Sequence, residues 1–371
     1  MRPAAARPAL LAVLLLFALG SLGALPVAAG SKTREASPGK RHANPPTRSR
    51  KPPPTYWGAW IGTHLTGIQP PWDMAAVQQF ASLAGKGLSL VEFASPFADC
   101  GEWPCQYYRF PTSEMEAIRG YGAIPVLSWN SSGSPAETDD PNFQFADVLQ
   151  GAHDAYIREF AEAARDWGHP FFLRFNWEMN GDWFAWSEAV NGNQPGEFVA
   201  TWQRVHDIFT SVGAANVSWV WCPYADPHRK FGALQRFYPG DGYVDWTCMD
   251  GYNWGRNPTN PHPWRTFDLI FGKTYRSIVQ RIAPEKPMML AEIASIGSEK
   301  ARSAWIKKMF WMLANRYRQV RGLIWFNQID RGIDWILDDA PKAARTFAKG
   351  VRNPMFLGNT QGGLTGKIQA P

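Results

Sequence analysis

The 371-residue chain is short of cysteine, histidine and charge. Four cysteines are too few for a fold built on disulfides, and no Cys-x-x-Cys pair occurs. Seven histidines show no His-Glu-x-x-His spacing, so no metal site and no cofactor are expected. His228 and His262 read as loop residues, solvated or in contact at a rim. No Gly-x-Gly-x-x-Gly follows an early strand, which counts against a dinucleotide-binding doubly wound sheet. Charged residues make up 19% and apolar residues 45%, which excludes a disordered polyelectrolyte. Several long apolar runs are missing, which excludes a multi-span membrane protein. Trp is plentiful instead, with 19 residues within a 14% aromatic share. Indole is hard to bury completely, so many of these are expected to line a surface that binds something flat and apolar.

The formal net charge of +6 invites a nucleic-acid reading until it is located. Of 38 basic and 32 acidic residues, positions 1–54 hold nine and one, leaving 29 and 31 for the rest. The remainder is close to neutral, and nucleic acid is not an expected partner. Arg2 and Arg7 precede an apolar run of about 21 residues from Ala9 to Ala29 that ends in the small residues Val27-Ala28-Ala29. Residues 1–29 read as a secretory signal peptide, with an uncleaved membrane anchor as the alternative. Residues 30–54 are a basic, Pro-rich linker without apolar periodicity, a spacer suited to touch anionic wall polymer or lipid. Secretion is expected, with a membrane-anchored, outward-facing chain as the alternative and a monomer as the working state.

From Tyr56 onward short β-branched and aromatic runs alternate with helix-period stretches, the pattern of parallel strands joined by crossover helices. Eight strands are predicted at Tyr56 to Gly62, Leu88 to Ala94, Ala123 to Trp129, Phe171 to Trp177, Val217 to Cys222, Tyr243 to Gly251, Met288 to Ile293 and Gly322 to Asn327. Helices are clearest at Asp73 to Ala84, Gly151 to Trp167, Gly196 to Val212, Phe267 to Ile282, Lys300 to Arg318 and Ala340 to Val351. A short helix is expected within Arg229 to Tyr238. Eight such units predict an α/β fold of the (β/α)8 TIM-barrel type over residues 55–353. Residues 354–371, rich in Gly, Gln and Thr, read as a flexible tail.

Reactive groups of such a barrel sit at the C-terminal strand ends. In Phe171 to Gly181 an apolar strand turns polar, and strict alternation puts Arg174, Asn176 and Glu178 on one side. Met288 to Ile293 carries the single carboxylate Glu292 in an apolar strand. Such a group is costly unless paired or functional. Two carboxyls across a barrel mouth are what glycosidic cleavage needs, a proton donor and a nucleophile or base. Ordinary ion pairs, Glu178 with Arg174 and Glu292 with Arg331 or Arg321, are the alternative. Trp60, Trp129, Trp177, Trp183, Trp186, Trp221, Trp254, Trp325 and Trp335 flank the strand ends. Sugar C–H faces stack on indole while hydroxyls seek Asn, Asp and Arg, so some of these indoles are expected to line a cleft and others to pack the loops.

The stretch Arg174 to Gly181 resembles the acid/base strand of glycoside hydrolase family 26, typified by β-mannanases, whose pattern is Arg, two residues, His, Glu, Met, Asn, Gly. Further matches follow in chain order: Trp57-Gly58-Ala59-Trp60, Trp219 to Pro223, Asp250 to Asn253, and Lys286 to Glu292. The resemblance spans roughly residues 56 to 340. It implies a retaining endo-β-glycosidase with Glu178 as acid/base and Glu292 as nucleophile, and Tyr252 as a hydrogen-bond partner of the nucleophile. It also places Trp183 and Trp186 after the acid/base and Trp325 at the eighth strand's end. Arg174, Asn176, Trp177, Trp129, Asn130, Asp250 and Trp254 complete the expected substrate-binding set. Trp177 stands where the family carries His before the acid/base, and the third strand ends Ser128-Trp129-Asn130 where many members carry His; Asn176 or Asn130 is expected to supply the hydrogen bonds of those histidines. The expected substrate is β-1,4-mannan, with β-1,3-xylan, mixed-linkage β-glucan or a bacterial exopolysaccharide as alternatives. A non-catalytic carbohydrate-binding wall protein is the alternative of another class. In an oxidising location Cys100 and Cys105, flanking Gly101 to Pro104, are expected to form a disulfide, whereas Cys222 and Cys248 read as buried thiols.

Overall fold

In the computed structural model, residues 51–135, 138–225, 233–255 and 263–371 are described, and Lys51–Pro371 forms one compact unit. The signal segment, the linker up to Arg50, His228 and His262 lie outside the described residues. Eight strands run in parallel: β1 (Tyr56–Ile61), β2 (Leu90–Asp99), β3 (Ile124–Ser134), β4 (Phe171–Phe175), β5 (Val217–Trp221), β6 (Trp246–Asn253), β7 (Met288–Ser295) and β8 (Val320–Asn327). Each pairs with its sequence neighbours, and β1 pairs with both β2 and β8, so the sheet closes into a (β/α)8 barrel. The strands read as nearly unbroken apolar runs because both faces are covered, the inner by the barrel core and the outer by helices. All five residues of β4 and all eight of β7 are buried.

The helices are α1 (Met74–Ala84), α2 (Thr112–Tyr121), α3 (Phe145–Gln150), α4 (Asp154–Trp167), α5 (Glu197–Ser211), α6 (Phe267–Ser277), α7 (Glu299–Asn315) and α8 (Pro341–Val351). Side-chain caps start several of them, as where Asp73 accepts from the Ala75 amide at 2.9 Å. Helix α2 goes unannounced in the sequence because it buries only Met115 and Ile118 and carries Gly120 in its last turn. After β5 the described residues hold one short 3-10 turn, Leu234–Phe237.

The segment after α8, expected to be flexible, packs under the barrel. Met355, Phe356 and Ile368 are buried, and a polar, Gly-rich composition hides these three anchors. The Ile368 amide donates to Ser218 Oγ at 2.8 Å, and its carbonyl accepts from Trp246 Nε1 at 2.9 Å. The Gln361 amide donates to the Gly122 carbonyl at 2.7 Å. The segment thus closes the end where β5 and β6 begin, opposite the mouth.

Candidate active site

Strand β4 stops two residues short of the expected end, because Asn176 (φ 43°) and Glu178 (φ 54°) take left-handed backbone conformations. Each such residue costs about 1–3 kcal/mol and persists only where surrounding bonds hold it. Here the Asn176 amide donates to the Trp129 carbonyl at 3.0 Å, and the Glu178 amide to the Cys222 carbonyl at 2.7 Å. The turn is thereby stitched to both neighbouring strands. Alternation therefore does not reach Glu178, which a turn delivers to the mouth instead. Asn176 is not a mouth residue: its amide group is used up on Ser131, accepting from the backbone at 2.8 Å and donating to Oγ at 2.9 Å. Asn130 is likewise buried and accepts from Ser132 Oγ at 2.5 Å.

Arg174 is fully buried at the centre of the site. Its Nη1 donates to Glu92 Oε1 at 2.7 Å, to Glu292 Oε1 at 2.7 Å and to Ser128 Oγ at 2.9 Å, while Nη2 donates to Asp250. The guanidinium lies over the Trp177 ring, 4.9 Å from its centroid. Among the described residues the arginine pairs with Glu292, not with Glu178. The β6–β7 pairing shifts register between Met249 and Asp250, setting Asp250 beside Glu292.

One cation among three carboxyls cannot hold three full negative charges out of water. Burial lowers the Arg174 pKa, but Asp250, Glu292 and Glu92 outweigh it and hold the guanidinium charged. Burial pushes the Glu92 carboxyl up to about 7 against the pull of Arg174. Burial likewise raises Asp250 well above the carboxylate range, again against Arg174. Burial thus favours the protonated form of Glu92 and Asp250. Glu292 accepts from Arg174 on Oε1 and from the Tyr252 hydroxyl on Oε2. Burial and the Glu292 charge raise Tyr252, so the phenol stays a donor. Glu178 accepts from Trp183 Nε1 at 2.6 Å. Burial first, and then the charge of Glu292, push its carboxyl up to about 8, which keeps it protonated at neutral pH.

Half-buried Trp183, Tyr224, Tyr252 and Trp254 form an aromatic rim. Trp183 meets Tyr224 edge-on at 5.1 Å, and Trp254 Nε1 donates to the Tyr224 hydroxyl at 3.3 Å. Gly181 lets Trp183 fold back onto the site, since a Cβ there would lie 2.6 Å from the indole. Four expected cleft indoles sit in the core instead. Trp129 is fully buried and stacks on Phe160 of α4 at 4.3 Å. Trp325 is fully buried against Phe347 of α8 at 5.2 Å. The period of two decides Trp129: Ser128 faces inward to Arg174, so its neighbour must face the helices. Trp186, 2% exposed, stacks on Phe184 at 4.3 Å and donates to the Trp177 carbonyl at 2.7 Å. Trp177 itself is buried beneath Arg174.

Glu92, Ser128 and Tyr224 escaped the sequence reading. Glu92 had a signal, since Leu90-Val91-Glu92-Phe93 is a lone carboxylate in an apolar strand just as around Glu292. Cys100 and Cys105 are bonded to each other. Cys222 and Cys248, expected as thiols, are bonded as well. The β5–β6 register, Val220 to Trp246 and Trp221 to Thr247, continues to set these two residues opposite each other. The one set of potential metal ligands among the described residues is Cys222, Cys248 and Asp250, and its two sulfurs are committed to that bond.

A closed (β/α)8 barrel with a proton-holding carboxyl and a doubly hydrogen-bonded carboxyl at its C-terminal mouth carries the two groups that glycosidic-bond cleavage uses. Comparison with known proteins points to a particular lineage: the model of glycosyl hydrolase family 26 matches residues 138–262, a span that includes Glu178. Endoglucanase H of Acetivibrio thermocellus is 31% identical over 300 residues, covering 79% of this chain and 30% of that protein. A mannan endo-1,4-beta-mannosidase of Bacillus subtilis is 31% identical over 151 residues, 35% of this chain and 40% of the relative. The chain thus spans less than half the length of these relatives. Among solved structures, a Cellulomonas fimi endo-beta-1,4-mannanase double mutant superposes with a TM-score of 0.63 at 19% identity, over 86% of this chain and 76% of that one, a likeness of fold.

Proposed function

We propose that the chain is a retaining endo-β-glycosidase that cuts a neutral β-linked polysaccharide, with β-1,4-mannan as its first substrate. The observation that carries this reading is the division of labour between two glutamates. Glu178 holds a proton near neutral pH, and Glu292 is aimed by Arg174 and Tyr252. In the first step a Glu292 oxygen bonds to the anomeric carbon while the glycosidic C–O bond breaks and Glu178 gives its proton to the leaving oxygen. In the second step Glu178 takes a proton from water, the water oxygen bonds to the anomeric carbon, and the ester to Glu292 breaks. Trp183, whose indole N–H meets Glu178, offers an indole face beside the acid for a sugar ring to stack on.

A second substrate reading, β-glucan, is favoured by one observation: the relative matched over 300 residues is named an endoglucanase. Incubation of the chain with β-1,4-mannan, mixed-linkage β-glucan, β-1,3-xylan and bacterial exopolysaccharide ranks the two, and NMR of the first product gives the anomeric configuration. Release of oligosaccharide with retained configuration, lost in Glu178→Ala and Glu292→Ala, is expected. An inverted product sinks the double displacement, and no release from any glycan sinks the hydrolase. We also propose action outside the cell, from the signal-like residues 1–29. A mature chain starting near Gly30 would support secretion, and an intact leader would support the anchor.

A further inference from the structure

Five of the eight exposed large apolar side chains among the described residues lie on the loops that follow β1 and β2: Ile68, Trp72, Trp103, Tyr107 and Tyr108. Such crowding is uncommon on a surface where single exposed apolar residues are the rule. Trp72 is 51% exposed and Tyr108 39%, and both wall a groove of about 640 Å³, within the size of ligand sites. Phe93 backs it, edge-on to Trp72 at 5.9 Å. Phe93 points outward from β2 while its neighbour Glu92 points into the barrel, so one strand separates this groove from the catalytic mouth.

The lining mixes these aromatic faces with Ser95, Arg109 and Glu114. Flat apolar faces interrupted by hydrogen-bonding side chains of both charge signs match a sugar chain, which alternates C–H faces with hydroxyls. A phosphate or acidic ligand would want an excess of cations, and here Glu114 and Glu116 offset Arg109. The third exposed indole, Trp311 on α7, differs: Lys308 Nζ sits 4.0 Å and the Arg316 guanidinium 5.6 Å from its ring centroid, so its face is already taken.

We propose that the groove walled by Trp72 and Tyr108 is a second glycan-binding site, which holds a strand of the polysaccharide outside the catalytic mouth. It rests on the hydrolase reading for the identity of the polymer, and it has its own test. The whole chain carrying Glu292→Ala is run through gels containing β-1,4-mannan, mixed-linkage β-glucan or β-1,3-xylan. Adding Trp72→Ala and Tyr108→Ala is expected to weaken retardation by at least one polymer about tenfold, while Trp311→Ala changes nothing. In the active enzyme the same double variant should leave kcat/KM on short oligosaccharides within about twofold and lower it on the polymer. Unchanged retardation, or retardation by no glycan, overturns the site. An equal loss on short oligosaccharides also overturns it, because both aromatics would then belong to the catalytic cleft. Retardation that depends on Trp72 and Tyr108 in an enzyme that cuts nothing would keep the site and remove the hydrolase reading.

Discussion

Replacing Glu92 by Gln tests the charge count inside the barrel. The substitution keeps an acceptor for Arg174 and Ser128 and removes the ionisable proton. In the folded protein burial raises this carboxyl from 4.5 to about 7, so the native state still holds a proton that the unfolded chain has released. Stability of the wild type therefore falls as pH rises through that window, by about 1.4 kcal/mol per pH unit and about 3 kcal/mol in all. Above about pH 7 the carboxyl is charged in both states and the loss is complete. Glu92→Gln escapes this loss, whatever constant offset its side-chain amide brings. Urea unfolding of both proteins from about pH 4.5 to about pH 8 should show their stability difference moving in favour of the variant by about 3 kcal/mol. Other titrating groups cancel to first order in that difference. A flat difference would mean that Glu92 titrates as it does in the unfolded chain, and an opposite slope that Arg174 depresses it; either refutes the count.

Three further outcomes are expected. With Glu178 at about 8, kcat/KM should fall as pH rises through about 8, where the acid loses its proton. Trp183→Phe removes a donor that favours the ionised form, so the alkaline limb of the pH–rate profile should move up; a limb that stays or moves down assigns it to another group. Tyr252→Phe deletes a hydrogen bond to a charged carboxylate, worth about 1.5–3 kcal/mol, and should lower kcat/KM on an aryl glycoside by about 10- to 150-fold. A loss under twofold would show that the phenol is dispensable. Trp129→Ala empties a packed core position and should cost about 3–5 kcal/mol in chemical denaturation with KM unchanged, whereas a cleft residue would do the reverse.

The barrel was legible because both faces of each strand are covered, which writes every strand as an apolar run. The two glutamates were legible because nothing apolar explains them at strand ends. The indoles were harder: composition announces a Trp surplus, but the facing of each residue is set by strand register. Ser128 and Trp129 show the difference, adjacent in sequence and on opposite sides of the wall. Cys222 and Cys248 were missed for a related reason, since their pairing depends on the alignment of two strands separated by a loop. Residues 354–371 were misjudged because three buried anchors suffice to seat a segment whose average composition is polar.

The strap under the barrel also bears on how the molecule comes to be folded. Ile368 bonds to Ser218, 150 positions earlier, and the Gln369 carbonyl accepts from Tyr56, 313 positions earlier. Contacts of such sequence separation are slow to form, because the chain between them must be ordered before they reward it. On the ribosome, the base of the barrel stays unsealed until the segment around Ile368 has emerged. Sealing of the base is tied to a segment far downstream of the strands it closes, at the end of the barrel opposite the glutamates.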